Sequence, residues 1–156
     1  MPRLNDQFLV ICGSVNPITL SQLKYADENG FRHIRLRAEQ LLDQNYWHTE
    51  AGRETVSDYI KALNEDRFLI IDSNQEAGQN GLSAAAAERG LTVSDLRGMI
   101  SSSIGTMAGV LTSYDIDATI LITGGDTLLQ CMKQMNAAEI EPILELDPGV
   151  VLSEVQ

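Results

Sequence analysis

Three short runs of mostly apolar residues, FLVIC from Phe8, FLII from Phe68 and TILI from Thr119, constrain this chain more than any other feature. A strand with one wet face alternates apolar and polar residues; a continuous run has no polar face to offer water. Such runs belong to strands covered on both sides, as in a parallel sheet. Each is followed by turn formers and then by a helix-like segment. The strands expected are Gln7–Cys12, His33–Leu36, Arg67–Asp72, Ala118–Thr123 and Ile140–Glu145. In Glu139–Glu145 acidic and apolar residues alternate, the pattern of a partly exposed edge strand. At 156 residues the chain is expected to form a single domain: a three-layer α/β fold with a mostly parallel sheet, helices on both faces and right-handed crossovers.

The helices between the strands have legible ends. Asn16 can cap a helix whose first turn holds Pro17, where a missing N–H costs nothing. Leu20, Leu23 and Ala26 follow near helical spacing, and Gly30 supplies a stop. A longer helix begins at Thr92, which with Asp95 fits a capping box. Its apolar positions are Val93, Leu96, Ile100, Ile104, Met107 and Leu111. Gly98, Gly105 and Gly109 each weaken it by roughly 1 kcal/mol relative to alanine, a loss that close packing against the sheet or a partner can offset. A last helix begins within Ile120–Met135, with Leu128, Leu129, Met132 and Met135 as its expected apolar face and Gln130, Lys133 and Gln134 directed elsewhere. Ser73–Gly90 is polar and glycine-rich before it passes into an alanine run, and is read as a mobile connection ending in a helix rather than as a ligand border.

Two strand-to-helix turns carry the chemistry: Cys12-Gly13-Ser14-Val15-Asn16-Pro17 and Thr123-Gly124-Gly125-Asp126-Thr127. Parallel neighbouring strands would open both on the carboxyl edge of the sheet, where doubly wound folds bind ligands. Glycine permits positive φ and close approach, and each helix start offers free N–H groups with about half a unit of positive charge. The Ser14 and Thr127 hydroxyls can bond phosphate oxygens. Asp126 repels phosphate, so its useful roles are helix capping, a ribose hydroxyl or a magnesium ion. Neither turn has the Gly-Lys-Ser/Thr ending of a Walker A loop, and no spaced G-x-G-x-x-G is present.

Composition excludes more than it assigns. A net charge of −11 disfavours nucleic acid, whose binding rests on lysine and arginine meeting phosphates. No apolar run approaches the roughly 18 residues of a membrane span, and the N-terminus lacks the pattern of a signal peptide, so a cytoplasmic location is expected. Cys12 and Cys131, the only cysteines, each sit in an apolar run and read as reduced core thiols. His33 and His48 have no metal-ligand spacing, and no metal site or general base is identified. Tyr46 and Trp47 read as an anchor for a helix or interface.

The two turns, with Asp147-Pro148-Gly149-Val150 and the phrases GFRHIRLRAEQLL and ATILITGGDTLLQCM, resemble the C-terminal nucleotide-binding domain of the four-carbon acid sugar kinases. That family was long catalogued as a domain of unknown function. The resemblance runs from about Phe8 to Leu152, and the order of the motifs makes it specific. It implies ATP, with magnesium, as phosphoryl donor and a threonate- or erythronate-type acid as acceptor. Carried over, Ser14, Gly124, Gly125, Asp126 and Thr127 contact ATP.

Nothing here matches the family's separate acid-sugar-binding domain or its later Lys-Ser-Gly segment, and the first turn reads Gly-Ser-Val-Asn where a second serine is common. The expectation is therefore the ATP-binding half of a kinase, inactive alone. It would be completed by an acid-sugar-binding domain in cis or in trans, and could self-associate into a homo-oligomer. The alternatives are a non-catalytic module that keeps the fold and an unrelated molybdopterin-binding-type domain.

Overall fold

β1 (Gln7–Cys12) lies inside the sheet, paired in parallel with β3 (Phe68–Asp72) on one side and β4 (Ala118–Thr123) on the other. β2 (His33–Arg35) pairs in parallel with β3 and completes the order β2-β3-β1-β4. The computed structural model describes residues 3–75 and 81–155. Leu9 and Ile11 of β1 stand in register with Leu69 and Ile71 of β3 and with Ile120 and Ile122 of β4. These side chains face one core, whereas Val10, Cys12 and Ile70 face another. With an apolar core on each side, the strands have no use for a polar alternation.

The smaller core is covered by α1 (Pro17–Glu28) through Leu23 and Ala26. Asn16 caps α1, its side-chain oxygen accepting from the Ile18 N–H at 2.9 Å, and Gly30 follows the helix at φ +77°. Leu20, expected on the same apolar stripe, is exposed. The larger core receives α2 (Ala38–Leu42), α3 (Glu50–Asp66), α4 (Gly81–Glu88), α5 (Val93–Thr112) and α6 (Gly125–Gln134). Helices therefore cover both faces, as expected. α3 is not among the helices expected; Val56, Tyr59, Ala62 and Leu63 form its buried stripe, Thr49 caps it, and Arg67 ends it in the left-handed region. Trp47 is fully buried beside it, its Nε1–H donating to Ser103 Oγ at 2.9 Å, so the Tyr46–Trp47 pair anchors helices.

α5 begins with the capping box expected: Asp95 N–H donates to Thr92 Oγ1 and Thr92 N–H to Asp95 Oδ2, both at 3.0 Å. Hydrogen bonds from the Thr92 backbone N–H and side chain to the carboxylate hold the Asp95 carboxyl below its usual range. Val93 at its start is exposed.

α6 departs from its expected face. Thr127 and Cys131 are its buried residues, and Leu129 is half exposed. A Cβ added at Gly105 would lie 2.7 Å from Gln130 Cβ, and one at Gly109 2.9 Å from Gln134 Cβ. The glycines of α5 admit the α6 backbone itself at Gln130 and Gln134, and α6 buries Thr127 and Cys131 while Leu129 stays half exposed. Sequence periodicity sees only side chains and misses a contact made by missing ones.

The fifth strand also differs. β5 (Ile140–Asp147) is exposed along its length and pairs antiparallel with β6 (Val150–Val155), which was not expected. The two form a separate sheet rather than extending the parallel one. Asp147-Pro148-Gly149-Val150 is the hairpin turn, with Gly149 at φ +80° and its N–H donating to Glu145 Oε1.

Candidate functional site

The two turns singled out in the sequence lie side by side. Because β1 and β4 are parallel neighbours ending level at Cys12 and Thr123, the Gly13 N–H donates to Thr123 O at 3.1 Å. One turn leads into α1 on one face and the other into α6 on the opposite face. That divergence makes the crevice typical of a topological switch point. The cleft has a volume of about 400 Å³. Ser14, Gly124, Gly125, Asp126 and Thr127 all line it.

Their positions within it differ. Thr127 is 3% exposed and forms the floor, its Oγ1 so close to Gly13 that a Cβ there would lie 1.9 Å away. Gly124, at φ +100°, turns the chain into α6 in a conformation that side chains rarely adopt. Gly125 and Asp126 are exposed in the first turn of α6, and a Cβ at Gly125 would meet nothing within 4 Å. The approach to the free N–H groups at the start of α6 is thus open. Ser14 Oγ accepts from the Asn16 N–H at 3.2 Å and stands 3.4 Å from Thr19 Oγ1.

The structure brings further residues to the cleft that the sequence did not single out: Ser73, Asn74 and Gln75 after β3, Leu82 of α4, and Arg97, Ile100 and Ser101 of α5. The loop after β3 was expected to be mobile rather than a ligand border, yet its first residues form the wall; residues 76–80 lie outside the described residues. Their position at the end of a parallel strand was the available signal. Asn74 ties this wall to the first turn, its Nδ2 donating to Ser14 O at 2.9 Å and to Asp72 Oδ1 at 2.8 Å. Arg97 is the one cation among the described lining residues.

Behind the wall lies a chain of a histidine between two carboxylates, with Asp27 partly exposed. The His33 ring bridges Asp27 Oδ1 at 2.7 Å and Asp72 Oδ2 at 3.1 Å, with the His33 side chain 2% and that of Asp72 1% exposed. Burial alone would lower the imidazole pKa, but the hydrogen bonds to both carboxylates prevail and raise it. Desolvation works to raise Asp27, yet His33 and Arg35 hold it below the usual carboxylate range. His33 is thus a paired interior residue.

Burial pushes the Cys12 thiol up, and the Cys131 thiol up to about 12; both remain free. Neither is an activated nucleophile. Among the described residues no group of three or more His, Cys, Asp or Glu could hold a metal ion, and no helix is long and apolar enough to cross a membrane.

The nucleotide-binding C-terminal domain family matches residues 9–156. The chain belongs to this family. It is the family named above from the sequence resemblance, and the ligand class it brings is a nucleotide. No curated protein matches.

Among solved structures, a Haemophilus influenzae protein of a domain-of-unknown-function family aligns at a TM-score of 0.74 and 18% identity, over 99% of this chain and 35% of its own. A Bordetella bronchiseptica protein of the same description, a domain-swapped dimer with bound citrate, aligns at 0.64 and 17%, over 98% of this chain and 34% of its own. A Salmonella typhimurium LT2 protein provisionally described as a tRNA synthase aligns at 0.67 and 15%, over 99% and 35%. At these identities the likeness concerns the fold. The chain spans about a third of the length of these proteins.

Proposed function

We propose that the cleft binds ATP and that the chain is the ATP-binding half of a kinase acting on four-carbon sugar acids of the threonate or erythronate type. The observation that carries this reading is the 3.1 Å contact from Gly13 N–H to Thr123 O, which joins both glycine turns into one cleft. Phosphates would rest on the N-terminus of α6, entering over Gly125 where no side chain intervenes. Ser14 would add a hydroxyl, and Asp126 is the carboxylate available to a magnesium ion carried in by the phosphates.

Phosphoryl transfer depends on positioning donor and acceptor and on stabilising spread charge. This cleft supplies the donor side. An acid-sugar-binding domain, in cis or in trans, would supply the acceptor side, and no turnover is expected from this chain alone. The family's motifs and the chain's coverage of a third of its structural relatives support that division. The citrate in the Bordetella bronchiseptica relative is a polycarboxylate, a chemistry related to that of a sugar acid. Its domain-swapped dimer supports self-association of this chain too. A cytoplasmic setting accompanies the kinase reading.

Thermal unfolding with magnesium-ATP, and with ADP and GTP for comparison, tests the proposal. At a hundredfold excess over its dissociation constant, ATP should stabilise by about 2.7 kcal/mol. No shift with any nucleotide would overturn the ATP assignment; an equal shift with GTP would overturn its adenine selectivity.

A further inference from the structure

The packing of α5 on α6 also determines what stands above the first turn of α6. Gly105 meets Gln130 and Gly109 meets Gln134, so the two helices run in parallel with matched steps of four residues. One step back along the same stripe of α5 brings Ser101 level with Asp126, and the next brings Arg97 about one turn, some 5 Å, beyond the start of α6. Both Arg97 and Ser101 line the cleft with Gly125 and Asp126. Where α6 is present, the stripe is glycine and admits its backbone. Level with the first turn of α6 it carries the Ser101 hydroxyl, and beyond that turn the Arg97 guanidinium.

Arg97 is exposed and holds no carboxylate among the described residues. In contrast, Arg32 pairs with Glu65 and Asp66, Arg37 with Glu39 and Arg67 with Asp6. The charge balance of the cleft also calls for a cation. A helix N-terminus offers about half a positive charge, far less than a nucleoside triphosphate carries, and Asp126 opposes the phosphate.

We propose that Arg97 binds the terminal phosphates of a nucleoside di- or triphosphate, closing from α5 over an anion seated on the first turn of α6. The inference rests on the nucleotide reading above and adds the residue that discriminates by phosphate number. A planar guanidinium suits this task because it can bond two phosphate oxygens at once.

Calorimetric titration of the full chain with AMP, ADP and ATP, for the wild type, Arg97→Ala and Arg97→Lys, tests it. Arg97→Ala should unfold at the wild-type temperature, because the side chain is exposed and holds no carboxylate among the described residues. Its ATP affinity should fall roughly tenfold or more, its ADP affinity less, and its AMP affinity by no more than about twofold. Arg97→Lys should recover part of the ATP loss. Unchanged ATP affinity in Arg97→Ala, or equal losses for AMP and ATP, would overturn the assignment while leaving the nucleotide reading intact. A wild type that binds none of the three would overturn both.

Discussion

Gly13 and Gly125 lie in the same cleft and answer to different constraints. A Cβ at Gly13 would occupy the space of Thr127 Oγ1, and Thr127 is buried. Gly13→Ala is therefore expected to destabilise the protein by roughly 1–3 kcal/mol, measurable by urea unfolding. Gly125 faces open space, and valine is the better helix former of the two. Gly125→Val should unfold at or slightly above the wild-type temperature and lose its ATP-induced shift, because the branched side chain fills the phosphate approach. Retention of the full shift in a folded Gly125→Val protein would place the phosphates elsewhere. One glycine is kept by what packs against it, the other by what must be free to enter.

At the scale of elements, the α5–α6 contact organises the site. Glycines inside a helix cost about 1 kcal/mol each relative to alanine, and α5 contains them at 98, 105 and 109. The structure separates them into two kinds. Gly98 has nothing near its Cβ position, so Gly98→Ala should stabilise by up to about 1 kcal/mol. At Gly105 an added Cβ would lie 2.8 Å from Gln130 backbone atoms, so Gly105→Ala should cost roughly 1–3 kcal/mol despite its better propensity. Opposite signs in thermal or urea unfolding would confirm the division; equal gains would mean that α6 is free to move away. The β5–β6 hairpin is the other notable element, exposing Ile143, Leu146 and Val151 among others. A two-stranded hairpin is marginal by itself in water, so such a surface is in keeping with the self-association proposed above.

At the scale of the whole molecule, the Asp27–His33–Asp72 chain joins α1, β2 and β3 and reaches the cleft through Asn74. His33 has a folded pKa raised above its unfolded value, so its contribution to stability is complete below the ordinary imidazole value of about 6.5 and is lost as pH rises through the folded value. Asp27 is depressed, so its contribution holds above the ordinary carboxylate value and is lost as pH falls through the folded one. Urea unfolding should therefore show His33→Ala destabilised most near pH 6, by about 3 kcal/mol, with the gap narrowing as pH rises. A gap that widened with pH would contradict a charged His33. This chain was not legible beforehand: Asp27 and Asp72 are distant in sequence and meet only because α1 and β3 converge on β2. The parallel strands and both glycine turns were legible, because local spacing and backbone freedom dictate them whatever the partners. Ser14 and Gly124–Thr127 could accordingly be placed on the cleft from motifs alone. Arg97, Asn74, the inward side of α6 and the separate hairpin were decided by tertiary structure. Which residues share a cleft, and which face a helix buries when its neighbour offers glycine instead of side chains, are properties of packing between segments, and no window along one segment contains them.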